Sequence, residues 1–308
     1  MTAADAHLPD AAPENWVDRF APPPLRPWLK LGRFDRPVGI WLLMLPGWQG
    51  LALAAAMRGH WPDPILLAEF FLGAALMRAA GCAYNDIVDR DIDAKVARTA
   101  LRPIPAGQIS VKQAWAYVAV CCLISLGILL TMPPLAIGLG FGSLLLVAGY
   151  PFMKRITWWP QAWLGLTFNW GALLGFAAQT GRLDVGDAML YAGLIFWTLG
   201  YDTIYAHQDK EDDELIGVKS TARLLGSNTR QWVLRFYAVA FTLILAAGFT
   251  EHTGWAFAFL MLAAGAQLLW QVKRLDIDSP ANCLVVFRSN REAGALIATA
   301  FLLASWLG

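Results

Sequence analysis

Two stretches of this 308-residue chain carry carboxylates at helical spacing. In NDIVDRDID, Asn85, Asp89 and Asp93 fall at i, i+4 and i+8, which on a helix lines their oxygens along one stripe, with Asp86 close beside it. In YDTIYAHQDKEDDELIGVKSTAR, Asp209 and Asp213 repeat the i, i+4 step, with Asp202 two turns earlier and Asp212 adjacent. Such oxygen ligands suit a hard divalent ion. Mg2+ typically takes one or two carboxylates and completes its shell with water and substrate phosphates, so two clusters suggest two Mg2+ ions gripping one diphosphate. Arg90, Arg98, Arg102, Lys154, Arg155, Lys219 and Arg223 lie in or near these stretches and would supply further positive charge. A solvated acidic loop is the plainer account of either cluster alone, but it leaves the matched spacing of the two unexplained.

The elements that must hold these groups are membrane helices. The chain is 57% hydrophobic and 15% charged, and its mean hydropathy is +0.47. Its apolar residues fall in blocks near the roughly 20 residues that cross a bilayer as helix. The blocks at 38–57, 64–84, 114–132, 133–150, 160–180, 187–206, 232–250, 254–272 and 292–308 predict an all-α membrane protein with nine transmembrane helices. A 1–37 N-terminal segment precedes one 38–308 membrane domain. Basic residues test the count, because short cytoplasmic loops collect Lys and Arg. Only Arg58 and Arg182 fall on the loops assigned outside, which places the N-terminus in the cytoplasm.

Ionised carboxylates at membrane depth cost about 2.5–3.5 kcal/mol each, so both clusters require offsetting cations. Each follows an even-numbered span, with four helices between them, as in two related halves with a ninth helix appended. The N-terminal DAHLPDAAPENWVDRFAPPPLRP has acid and proline where a presequence would be basic, apolar or amphipathic, which favours a bacterial inner membrane over a mitochondrion. Cys82, Cys121, Cys122 and Cys283 form no C-x-x-C pair and are expected to be core packing. The net charge of +1 gives no reason to expect a nucleic-acid partner.

Several long segments, GRFDRPVGIWLLMLPGWQG (32–50), MRAAGCAYNDIVDRDIDAKVARTALRPIPAG (77–107), YPFMKRITWWPQAWLG (150–165) and YDTIYAHQDKEDDELIGVKSTA (201–222), resemble the UbiA superfamily of intramembrane prenyltransferases. The likeness runs on to FRSNREAG (287–294) and is greatest to the branch that prenylates 4-hydroxybenzoate for ubiquinone. It implies nine helices around a central cavity, a tunnel for a lipid tail, and Mg2+ and diphosphate bound by an N-x-x-x-D-x-x-x-D and a D-x-x-x-D motif. The first lands on Asn85, Asp89 and Asp93, the second on Asp209 and Asp213.

The reaction so implied joins a polyprenyl diphosphate to a phenolic ring. Lys154, Arg155 and Lys219 would add donors to the leaving group, with Arg90 and Arg102 close by. Tyr150, Phe168 and Trp170 would shield the allylic cation or simply pack. Asp202 would take the ring proton or orient Tyr205. Arg33 and Arg36 would pair with the benzoate carboxylate or anchor the first helix. Pro46, Gly47, Pro151 and Pro160 are expected to break or thin helices, and Glu69 and Asn169 to face the interior. A transporter of divalent ions or phosphorylated solutes is the rival, although it would more often bind near the bilayer midplane.

Overall fold

The computed structural model describes residues 15–95, 99–208, 210–215 and 217–307, the side chains of 212, 213, 215 and 305–307 excepted. Its elements are all helical: α1 (Trp16–Phe20), α2 (Arg26–Leu31), α3 (Val38–Met57), α4 (Pro64–Asp93), α5 (Val111–Leu129), α6 (Pro134–Ile156) and α7 (Pro160–Thr180). They continue with α8 (Val185–Ala206), α9 (Lys210–Leu215), α10 (Thr221–Leu225), α11 (Thr229–Thr250), α12 (Gly254–Arg274), α13 (Pro280–Arg288) and α14 (Asn290–Leu307). Among the described residues nine helices reach 18 residues or more, at the places the apolar blocks predict.

Six stretches are both long and apolar enough to cross a membrane: α3, α4, α5, α6, Thr221–Thr250 and α12. The nine predicted spans therefore reduce to six on length and composition. The other three long helices carry buried polar groups that lower their hydropathy. Asn169 on α7 donates through Nδ2 to Leu194 O at 3.1 Å and Thr198 Oγ1 at 2.7 Å. Asn290 on α14 accepts from Trp197 Nε1 at 2.8 Å. Partners supplied inside the protein let such helices be less apolar than lipid-facing ones. Leu123, Leu145 and Phe259, by contrast, stand exposed, as lipid-facing side chains do.

Pro46 and Pro151 break nothing, contrary to the sequence expectation: both lie inside continuous helices. Pro160 opens α7 at a position whose missing N–H costs no hydrogen bond. The predicted start of α5 is three residues late, because Ser110 and Gln113 form a capping box that begins the helix at Val111.

The chain divides into two compact units, residues 1–41 with 71–131 and residues 42–70 with 132–308. In the first, Leu31, Ala83, Ile87, Ile104, Ile109 and Ala114 form a core joining α2, α4 and α5 to the 94–110 loop. The N-terminal segment is thus part of a packed unit. In the second, α8 packs against α7 and α11, and α12 against α14. Glycine sets the approach of α3 to α7: a Cβ on Gly50 would sit 2.1 Å from Ala172 O, and one on Gly175 2.3 Å from Gly47 O.

Candidate active site

The helix α4, whose residues from 71 on belong to the first unit, runs for 30 residues. At 1.5 Å per residue that is about 45 Å, longer than the roughly 30 Å hydrocarbon core, so its last turns can carry acid beyond the lipid. The carboxylates there are nonetheless buried in protein, with Asp86, Asp89 and Asp93 at 0%, 1% and 6% exposure. Asn85 is half-buried on the same helix.

The chain past α4 folds back onto its end. Thr99 Oγ1 donates to the Asp93 carbonyl at 2.8 Å, and Arg102 Nη1 to Asp93 Oδ2 at 2.8 Å. The same Nη1 reaches Asp86 Oδ1 at 3.3 Å. From the N-terminal side, Arg33 Nη2 donates to both oxygens of Asp86 at 2.6 and 2.9 Å, and its Nη1 to Lys30 O at 3.1 Å. Arg33 has φ of 60°, a left-handed conformation that costs an L-residue about 1–2 kcal/mol. Neighbouring contacts hold that backbone. Trp16 Nε1 donates to Phe34 O at 2.6 Å, and buried Lys30 pairs with Asp18 at 2.7 Å.

Arg36 lies 3.4 Å from Asp35 through Nε. Arg90 is exposed, donates to Ile87 O and stands 3.5 Å from Asp91. Arg98 lies outside the described residues. Asp86, which the i, i+4, i+8 stripe passes over, is the acid that the two guanidiniums share.

In the second unit, the segment after α8 is pinned at several points. Thr203 Oγ1 and Thr221 Oγ1 lie 2.7 Å apart, and Thr221 N donates to Gln161 Oε1 at 3.1 Å. Lys219 N donates to Lys154 O at 3.0 Å and its Nζ to Ile156 O at 3.2 Å, so the structure brings these two predicted donor residues together. Arg223 donates to Val218 O and lies 5.5 Å over the Trp158 ring. Arg155 is exposed, and Tyr150 is half-buried on α6. Asp202 is half-buried on α8, and the neighbouring Tyr205 ring packs 4.6 Å from Phe287. Trp170 is fixed by packing, with Nε1 2.9 Å from Leu139 O and its ring edge-on to Tyr191. Asp209 and the side chain of Asp213 lie outside the described residues.

His207 opens this acidic segment. It is buried, with Nε2 3.0 Å from Thr229 Oγ1, and burial, then the Lys210 charge, push its pKa down to about 4 against the opposing pull of Asp278. It is therefore neutral at pH 7.

Asn85, Asp89 and Asp93 offer amide and carboxylate oxygens, the donor chemistry of a hard divalent cation. Arg102 takes only Oδ2 of Asp93, and no hydrogen bond reaches Oδ1 among the described residues. Among those residues no three His, Cys, Asp or Glu side chains gather to hold a metal. A cation here would therefore complete its shell with other ligands, as Mg2+ does with water and phosphate.

Residues 43–305 match the sequence profile of the UbiA prenyltransferase family. A protein of Arabidopsis thaliana named "4-hydroxybenzoate polyprenyltransferase, mitochondrial" is 46% identical over 284 residues, 92% of this chain and 70% of that one. The apo structure of a UbiA homolog from Aeropyrum pernix K1 aligns with a TM-score of 0.69 at 26% identity, covering 85% of this chain and 97% of that one. A UbiA homolog from Archaeoglobus fulgidus, bound to GPP and Mg2+, aligns with a TM-score of 0.62 over 92% and 100% of the two chains. At 18% identity it speaks for the fold alone.

Proposed function

The chain belongs to the UbiA prenyltransferase family, and from that membership we propose that it transfers a polyprenyl group from polyprenyl diphosphate to 4-hydroxybenzoate. The new bond forms at the ring carbon beside the hydroxyl, diphosphate leaves, and the product serves ubiquinone biosynthesis. One observation supports the chemistry most: buried Asp89 and Asp93 lie at the end of an overlong membrane helix, with one oxygen of Asp93 fixed by Arg102.

Mg2+ held by Asn85, Asp89 and Asp93 and by Asp209 and Asp213 would neutralise charge on the departing diphosphate. Lys154, Arg155 and Lys219, with Arg90 and Arg102, are assigned to the diphosphate oxygens as hydrogen-bond donors. Tyr150 is assigned to the face of the prenyl group. Asp202 is assigned the ring proton, which the acceptor carbon releases once it has bonded to prenyl C1. Arg33 and Arg36 are assigned to the benzoate carboxylate; each also has an acid neighbour, Asp86 for Arg33 and Asp35 for Arg36.

We take the nine long helices as nine spans with the site on the basic side of the bilayer. That side is the cytoplasm for a bacterial inner membrane, our proposed location, and the matrix for a mitochondrial one.

The test is a transfer assay on purified protein in lipid with Mg2+, a long-chain prenyl diphosphate and 4-hydroxybenzoate. Prenylated acid should form and should vanish with EDTA. Prenylation of a different phenol, with 4-hydroxybenzoate untouched, would overturn the acceptor and keep the reaction class. No transfer to any aromatic acceptor would overturn both.

A further inference from the structure

The acid that matters beyond the two motifs is Asp86. On α4, Asp86 and Asp93 are seven residues apart, close to two full turns, so they share a face. Arg102 bridges that interval, with one nitrogen 3.3 Å from Asp86 Oδ1 and 2.8 Å from Asp93 Oδ2. Asp86 also takes the guanidinium of Arg33 through both oxygens. One fully buried carboxylate therefore ties together α4, the loop after it and the N-terminal segment.

We propose that Asp86 is a positioning residue: held by Arg33 and Arg102, it sets Arg102 against Oδ2 of Asp93 and so presents the other oxygen of Asp93 to the metal. Two physical points support this role. A buried carboxylate needs partners that satisfy its charge and lone pairs, and here both are guanidiniums, which cannot lose their charge. Groups that hold a ligand's unused atom orient it, and their loss typically weakens metal binding by 10–100-fold while leaving the ligands in place. Arg33 enters through the same carboxylate. Its left-handed backbone and its bond to Lys30 O help fix the guanidinium against Asp86.

The inference rests on the function proposed above, so the test separates the two. Binding of Mg2+ with inorganic pyrophosphate, followed by calorimetry and by the shift in thermal midpoint, needs neither prenyl chain nor acceptor. Wild-type protein that shows no Mg2+-dependent pyrophosphate binding would overturn the functional reading and this inference together.

Given wild-type binding, Asp86→Asn should weaken Mg2+ about tenfold or more and lower kcat, with KM for 4-hydroxybenzoate little changed. Arg33→Lys, which keeps the charge and loses the two-oxygen grip, should shift Mg2+ binding in the same direction by less. Wild-type Mg2+ affinity in folded Asp86→Asn would overturn the inference alone. Total loss of binding, equal to that of Asp89→Ala, would make Asp86 a metal ligand and also overturn it. Should Asp86→Asn fail to fold, Asp86→Glu and Arg33→Lys carry the same comparison, and wild-type affinity in both overturns the proposal.

Discussion

Arg102 Nη1 stands 2.8 Å from Oδ2 of Asp93, so the last acid of the first motif is fixed by a residue from the loop that follows its helix. Both groups are largely buried, where such a pair is screened far less than at a surface. Arg102→Ala should lower kcat by about 100-fold, the scale of losing one charged donor at a reacting centre. KM for 4-hydroxybenzoate should move much less. Arg102→Lys restores the charge and should recover part of the loss. Steady-state kinetics in both substrates would show the split, and equal rises in both KM values with unchanged kcat would contradict it.

The approach of α3 to α7 depends on missing side chains. Gly175→Ala and Gly50→Ala each push a methyl against a backbone carbonyl that cannot rotate away. Each should destabilise by about 1–3 kcal/mol, read as a lower thermal midpoint in detergent. Gly73→Ala is the contrast, because a Cβ there meets nothing within 4 Å on a continuous helix. It should be neutral or slightly stabilising. A fall equal to that of Gly175→Ala would contradict the packing account.

His207 gives a pH dependence of definite sign. Burial holds its pKa at about 4, with Lys210 and Asp278 as charged neighbours among the described residues and Thr229 on Nε2, while in the unfolded chain it titrates at 6.5. Below pH 6.5 the unfolded state takes up the proton and the folded state does not. Stability is therefore full above that pH and lost as pH falls toward 4. The loss due to this residue should be about 1 kcal/mol at pH 5.5. The thermal midpoint of His207→Gln should fall less between pH 7.5 and 5.5 than that of the wild type. Parallel curves would contradict the assignment.

The long helices were legible because a bilayer demands about 20 apolar residues per crossing, and their ends slipped where capping overrode hydropathy. Pro46 and Pro151 misled for a related reason. A lone proline in a membrane helix is tolerated when surrounding groups satisfy the freed carbonyl, which composition does not reveal. The acidic stripe was legible from periodicity, with Asp86 beside it, but the pairing of Asp86 was not. Its partners Arg33 and Arg102 lie 53 and 16 residues away, and pairing across such separations leaves no periodic trace. The same holds for Lys219 against Ile156, 63 residues apart.

The segment after α8 should owe its position to Gln161 and Thr221. Gln161→Leu removes the acceptor for Thr221 N, a buried donor, at a cost of about 1–3 kcal/mol. It also loosens the backbone that carries Lys219. Turnover should fall and KM for the prenyl diphosphate should rise. Gln161→Glu keeps an acceptor and should stay closer to wild type, and if the two variants behave alike the hydrogen bond is not what holds the segment.

The most direct measurement is calorimetric binding of a non-transferable prenyl thiolodiphosphate, with and without Mg2+, to wild type, Asp89→Ala and Asp209→Ala. Metal-dependent binding is expected in the wild type and should be lost in each variant while both stay folded in detergent. Wild-type affinity in either variant, or equal binding with the metal chelated, would contradict the claim that both acidic motifs hold the diphosphate through magnesium.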